Sequence, residues 1–304
     1  MGAQWTLLGA PLDSSGGSRG EERAPRVLRA AGVVERLGLV DAGDVVPPLR
    51  DTRRDAATGV IAAAQLVETS GTLRDAVAAC MGRGGRPFVL GGDCSLLPGA
   101  LAGARLAAGP ISLWMIDGHP DALDGETSPT GEAADMDLAV VLGRGHPELT
   151  SLAGAGPIVE PEHVALVGHR PAELDREVAA ELALVPPAVE QATAPELRSR
   201  GAGRVAWTTM ASSRGRPAWI HLDLDALDER EFPAVTYPQP QGLSRTELVE
   251  LLEPLMASPD LVGMSLADFD ADHARAPDHA ARVVEMLEEA FPKSPQRTKP
   301  RTPA

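Results

Sequence analysis

Short apolar runs rich in β-branched and aromatic residues alternate with longer Ala/Leu/Arg stretches of helical period along this 304-residue chain. Strands are read at Trp5–Gly9, Pro87–Leu90, Ile111–Asp117, His163–Val167, Ala218–Asp223 and Leu261–Asp268, with weaker candidates at Leu39–Val46 and Ala188–Ala192. Helices are read at Glu22–Leu37, Asp55–Arg83, Leu96–Ala108, Pro171–Leu184, Ala194–Ala211, Ser244–Ala257 and Ala274–Phe291. Ser244, three residues before Glu247, has capping-box spacing and marks a helix start. Strand–helix–strand repetition predicts the α/β class: a single three-layer α/β/α domain on a mostly parallel sheet, helices on both faces. No linker divides the body, so one domain is expected over 1–291. Residues 292–304 hold four Pro and four basic residues and are expected to form a disordered tail.

Charge removes several classes of function. The chain carries 43 Asp and Glu against 28 Lys and Arg, a net −15, which argues against nucleic acid as a partner because phosphate contacts need clustered cations. Its two lysines, Lys293 and Lys299, both lie in the tail, so the body has no lysine for a Schiff base or a phosphate loop. Two cysteines, Cys80 and Cys94, cannot build a disulfide framework. No signal peptide is read, and no apolar run approaches the ~20 residues that cross a bilayer, so no membrane is expected as a partner. The expectation is a reduced, cytoplasmic protein.

Three segments gather chemistry at strand ends. In Ile111–Asp121 an apolar strand ends in Asp-x-His-x-Asp, and extended backbone lets Asp117, His119 and Asp121 point the same way. In Trp219–Asp228 another strand runs into Asp223 and Asp225 on one face. His221, one period earlier on that face, is read as a hydrogen-bonded core histidine. A lone Asp-x-Asp also occurs in haloacid-dehalogenase-type phosphatases, but those need a catalytic Lys that the body lacks. In Phe88–Ser95 two glycines permit a sharp strand-to-helix turn, and Cys94 is either a small buried residue or a ligand at another strand end. Four crowded carboxylates, with no Lys in the body and no Arg in these motifs, cannot all stay ionised unaided. Two divalent cations solve the problem most simply.

In order and spacing the three segments resemble the ureohydrolases, the arginase and agmatinase group, whose consensus runs Gly-Gly-Asp-His-Ser, Asp-Ala-His-x-Asp and Ser-x-Asp-x-Asp-x-x-Asp-Pro. The resemblance extends to the Gly-rich opening from Gly9, the Val167–Arg170 strand end and Pro240–Glu247, and covers about Trp5 to Phe291. It implies an arginase-like fold and a Mn²⁺-dependent hydrolase that splits guanidino compounds by attack of hydroxide held between two metals. Arginine, a modified arginine such as N-hydroxyarginine, or another guanidino acid would be the small-molecule substrate. Carried over, Asp117 and Asp223 bridge both metals, Asp121 completes one shell, and His119 and Asp225 complete the other. Hard oxygen ligands with one imidazole suit Mn²⁺ better than Zn²⁺. Asp228 matches the acidic residue that assists the departing amine or orients the site. The resemblance also implies a homo-oligomer, a trimer or hexamer.

Three departures qualify this. Cys94 stands where the resemblance places a metal-binding His, so the metal site on its side is expected to be weak or empty unless the thiolate binds. Ala134 takes the place of a proton-shuttling His, with Glu132 and Asp135 beside it. Asp268 is the nearest equivalent of the acid that grips the guanidinium, one methylene shorter. Specificity is expected in the loops Asp121–Met136 and Ala234–Gly242, and Arg170 is read as an ordinary surface ion pair in preference to a substrate-carboxylate contact. A metal-poor pseudoenzyme that binds a guanidino ligand or serves as an assembly subunit is the alternative, favoured by Cys94 and the missing shuttle. Retention of the five other ligand positions favours the enzyme.

Overall fold

The computed structural model describes residues 3–292. The expected tail therefore lies outside the described residues except for Pro292. Eight strands form one sheet: β1 Trp5–Ala10, β2 Val40–Asp44, β3 Arg86–Gly91, β4 Ser112–Ile116, β5 Val164–Val167, β6 Glu190–Ala192, β7 Ala218–Asp223 and β8 Leu261–Ala267. Their order is β2-β1-β3-β8-β7-β4-β5-β6, and every pairing is parallel. All C-terminal ends therefore meet along one edge. The chain starts at β1, steps out to β2 and back in to β3, then crosses to β4 and runs outward through β5 and β6 before β7 and β8 fill the gap. That reversal opens the crevice where such sheets hold ligands.

The central strands are near-continuous apolar runs because both faces are covered. Alternate residues feed two cores. Leu7, Phe88, Leu90, Trp114, Ile116, Ile220 and Leu222 pack with helices Ala24–Ala30, Ala202–Ser212, Arg245–Met256 and Ala276–Ala290. Leu8, Val89, Leu113, Met115, Leu166 and Trp219 pack on the opposite face with Ala63–Gly82 and Leu97–Ala108.

Every strand expected from the sequence is present within about two residues of its bounds, a common uncertainty at element ends. The helices differ where local chemistry interrupts them. Gly32, at φ 89°, divides the expected Glu22–Leu37 helix into Ala24–Ala30 and Val33–Leu37. Gly201, at φ 87°, likewise separates Ala194–Arg200 from Ala202–Ser212. The helix expected from Asp55 starts at Ala63, because the Asp55 carboxylate takes the backbone N–H groups of Ala57 and Thr58 and closes a turn there. Ser244 and Glu247 do form the reciprocal capping box.

Candidate metal centre

Each acid sits where a strand ends and the backbone turns. Beyond β4, Asp117 accepts the His119 backbone N–H on Oδ1 at 2.7 Å. Gly118 donates its N–H to Asp225 Oδ1 at 2.9 Å, and Asp225 Oδ2 lies 2.6 Å from His119 Nδ1. At the end of β7, Asp223 accepts the Asp225 N–H on Oδ1 at 2.6 Å and the Cys94 thiol on Oδ2 at 2.6 Å. Cys94 enters from the turn after β3, where the Asp93 side chain accepts the Ser95 N–H. Gly92 is required there, since a Cβ would stand 1.8 Å from the Leu12 carbonyl oxygen. Asp121 and Asp268 lie in the left-handed backbone region, at φ 47° and 61°, a strained placement typical of functional sites.

The acids crowd together in a buried space. Burial first, and neighbouring carboxylates second, push Asp117, Asp121 and Asp223 well above the ordinary carboxylate value. Asp225 is the exception: burial opposes its charge, but His119 and Arg170 hold it down to about 2. Burial also disfavours charge on His119, yet Asp225 keeps that imidazole above its ordinary value. Burial and the surrounding acids push the Cys94 thiol up, so it serves as a donor to Asp223.

These donors fit divalent cations. Asp117 Oδ2 and both Asp137 carboxylate oxygens are buried without a hydrogen-bond partner. Potential ligand atoms lie within 4.8 Å of one another in Asp117, His119 and Asp225, in Asp223, Asp225 and Asp268, in Cys94, Asp117 and His221, and in Cys94, Asp121 and Asp137. Buried carboxylate oxygens with no donor need a cation or a proton, and a cation satisfies several at once.

A cavity of about 670 Å³ opens onto this cluster. Of the residues singled out from sequence, Cys94, His119, Asp121, Glu132, Asp135, Asp223, Asp225 and Asp268 line it, while Asp117 lies fully buried beside His119 and Asp225. Asp228 does not line it; its Oδ1 takes the Arg230 N–H at 3.0 Å and closes a turn. Arg170 is corrected outright. It is fully buried, with no surface ion pair, and its guanidinium donates to the carbonyls of Asp225, Leu227, Gln239 and Pro240. That clamp fixes the loop after β7 and requires Gly118, where a Cβ would meet Arg170 Nη1 at 2.1 Å.

Several site residues escaped the sequence reading. Glu21, buried, presses against Asp268 and Thr236, and burial followed by the charge of Asp268 raises it well above its ordinary value. Glu181 accepts the Ala122 N–H at 2.9 Å beside the cavity. His221, inside β7, and Asp137, at the start of the helix Asp137–Val141, both face Cys94. Only His221 carried a sequence signal, its position in phase with Asp223; the other three sit in short helical segments, Glu21–Arg23, Asp137–Val141 and Arg176–Leu182, whose placement over the sheet edge the pattern does not encode.

Residues 3–290 match the sequence model of the Arginase family. The chain is 34% identical to arginase of Bacillus caldovelox over 252 residues, covering 80% of this chain and 82% of that protein. It is 31% identical to arginase of Brevibacillus brevis, over 86% and 88% respectively. The crystal structure of the Bacillus caldovelox arginase superposes with a TM-score of 0.86 over 96% of this chain and 99% of that one, at 29% identity. With carboxylates, an imidazole and a parallel-sheet crevice arranged in this way, the chain belongs to the arginase family, as a hydrolase acting on amidines.

Proposed function

We propose that the protein is a Mn²⁺-dependent amidinohydrolase that releases urea or a substituted urea from a guanidino compound. The observation that carries this reading is the cluster of Asp117, His119, Asp121, Asp223 and Asp225 on the cavity floor, with unpartnered carboxylate oxygen among them. Asp117 and Asp223 would bridge two ions, His119 and Asp225 would complete one shell, and Asp121 the other. When bound, the ions neutralise the acids and make water a nucleophile near neutral pH.

The rest is work for the chain's own side chains. Asp268, raised to about 6 mainly by burial and then by Asp225, stands against Glu21 in the cavity wall, and this carboxyl pair would receive the guanidinium by charge-assisted hydrogen bonds. Arriving positive charge lets the pair ionise, so binding releases a proton. Asp135 is also raised to about 6, chiefly by burial, and its Oδ1 has no hydrogen-bond partner. It can therefore take up and give back a proton near neutral pH and would be the group that passes one to the departing amine, in place of an imidazole at position 134. Glu132 is gripped by Arg19 at 2.6 and 3.1 Å, which fits a role in shaping the mouth of the cavity. Asp228 would act only indirectly, by holding the turn after β7. Assembly as a trimer or hexamer and a cytoplasmic setting belong to the same reading; no helix among the described residues is long and apolar enough to cross a membrane.

The test is a screen of guanidino compounds for urea release, with protein purified in Mn²⁺ and assayed for metal. Turnover that needs two ions supports the proposal. Two bound ions with guanidine binding but no hydrolysis would turn it into a binding protein.

A further inference from the structure

His221 is the buried, hydrogen-bonded histidine that its phase in the strand predicts, but one of its two partners is the Cys94 sulfur at the candidate centre. Its ring is fully buried, with Nδ1 2.8 Å from Ser265 Oγ. The other nitrogen, Nε2, lies 3.3 Å from Cys94 Sγ and 3.6 Å from Asp137 Oδ2. Ser265 Oγ also takes the indole N–H of Trp219 at 3.0 Å, so the hydroxyl is held in place. An imidazole anchored at Nδ1 by a fixed hydroxyl presents Nε2 in a set direction, which is how outer hydrogen bonds orient a metal-ligating histidine. Opposite it stands Asp137, fully buried, with neither carboxylate oxygen hydrogen-bonded. Hydrogen bonds within the protein leave this acid unexplained; a cation in front of it accounts for it.

The placement also answers what Cys94 does. Its sulfur shares one 4.8 Å cluster with Asp117 and His221 and another with Asp121 and Asp137. Set beside the consensus motifs, the chain has Cys where Gly-Gly-Asp-His-Ser has His, and His221 where Ser-x-Asp-x-Asp has Ser. One imidazole is exchanged for another that approaches the same spot from the next strand but one. We propose that Cys94, His221 and Asp137, together with Asp117, Asp121 and Asp223, form a mixed sulfur–nitrogen–oxygen cation site that favours a borderline divalent ion, of the Co²⁺ or Zn²⁺ kind, over Mn²⁺. The side of the centre built on His119 and Asp225 lacks sulfur and keeps the harder donor set. The two halves then differ in kind, with thiolate and imidazole selecting the softer ion on one side only.

This rests on the existence of a metal centre, and its test reads metal rather than urea. Metal-stripped full-length protein is titrated with Co²⁺ while near-ultraviolet absorption is recorded, and Mn²⁺ is then used as a competitor. A thiolate-to-cobalt charge-transfer band, saturating at one equivalent, is the expected result. Cys94→Ser, which preserves the hydrogen bond to Asp223, should abolish the band and reduce the Co²⁺-over-Mn²⁺ preference at that site by about 10-fold or more. His221→Ala should leave the band but weaken that equivalent on the order of 10–100-fold, the range typical for disturbed metal shells. The exchange Cys94→His with His221→Ser should bind two Mn²⁺ with no band, whereas Cys94→His alone sets two imidazoles against each other and should bind worse than the pair. Two bound Co²⁺ without a band, or a preference unchanged in Cys94→Ser, would overturn the mixed site while leaving the hydrolase intact. No metal binding at all would overturn both.

Discussion

At Asp223 a single carboxylate takes the Asp225 N–H on one oxygen and the Cys94 thiol on the other, while lying beside Asp225 and Asp268. A group so placed can serve both halves of a metal pair. Asp223→Ala is therefore expected to remove both ions, seen as loss of both equivalents by metal analysis, with activity falling by more than the ~100-fold that follows disturbance of an outer ligand shell. Retention of two ions would show that Asp223 is no bridge. Asp268, on the cavity wall, is proposed to receive the guanidinium. Asp268→Asn removes one charged acceptor, costing about 1.5–3 kcal/mol of substrate interaction, so kcat/KM should fall roughly 10- to 150-fold with metal content unchanged. An unaltered kcat/KM would exclude Asp268 from the site. Residue-level pattern found Asp223 because it ends an apolar strand, whereas Asp268 was singled out only through the family resemblance. It misjudged Arg170, whose burial depends on four carbonyls from a loop about 55–70 residues away in sequence.

At the scale of elements, short apolar runs identified the eight strands, two of them only as weaker candidates, since parallel strands covered on both faces read as continuous apolar stretches. Helix ends were less legible. Gly32 and Gly201 each interrupt what periodicity alone reads as one helix, and both adopt positive φ, which closes one helix where the next begins. The capping box at Ser244 was legible because both partners are local in sequence. Ser244→Ala should lower stability by about 1 kcal/mol, measured by thermal or denaturant unfolding. Because helix Arg245–Met256 packs under the sheet and contributes no residue lining the cavity, kcat and metal content should not change. A drop in metal content would mean that this helix supports the centre in a way its packing does not show.

For the whole molecule, the acids proposed to hold metal are a burden without it. In the metal-free fold, burial and mutual repulsion raise Asp117, Asp121, Asp137 and Asp223, so the folded state keeps protons that the unfolded chain has already lost. With more protons bound in the native state, stability falls as pH rises from the ordinary carboxylate range through the raised values. For Asp268 that window runs from 3.8 to about 6. Asp225, lowered to about 2, contributes in the opposite sense, losing its stabilisation only as pH falls below 3.8. His169, His221 and His279, lowered chiefly by burial, also oppose the trend, gaining stabilisation as pH rises towards 6.5, but the raised acids outnumber all of these. Metal-free protein should therefore unfold at lower temperature as pH is raised from about 5 to about 7.5, while excess Mn²⁺ flattens or reverses the trend. Each site saturated at 100 times its Kd adds about 2.7 kcal/mol. A metal-free melting temperature that climbs over this interval would contradict the crowding of acids.

The sequence by itself determined the α/β class, the strands, and the acids at their ends. Each of these rests on information local to a few residues: alternation, a turn, a carboxylate at the last strand position. The family resemblance rested on the same short motifs, in order. Which loops would cross the crevice was a matter for tertiary structure alone. Glu21, Asp137 and Glu181 reach the site only because β1, β4 and β5 end on the same edge and their following segments fold back over it. His221 stood in phase with Asp223 all along, but its meaning depended on Cys94, from the turn after β3, and Asp137, from the helix Asp137–Val141, arriving within 3.3 and 3.6 Å. Burial decided the rest: a side chain's charge, proton and partners follow from what surrounds it, and those neighbours lie 84 to 127 positions away in the chain.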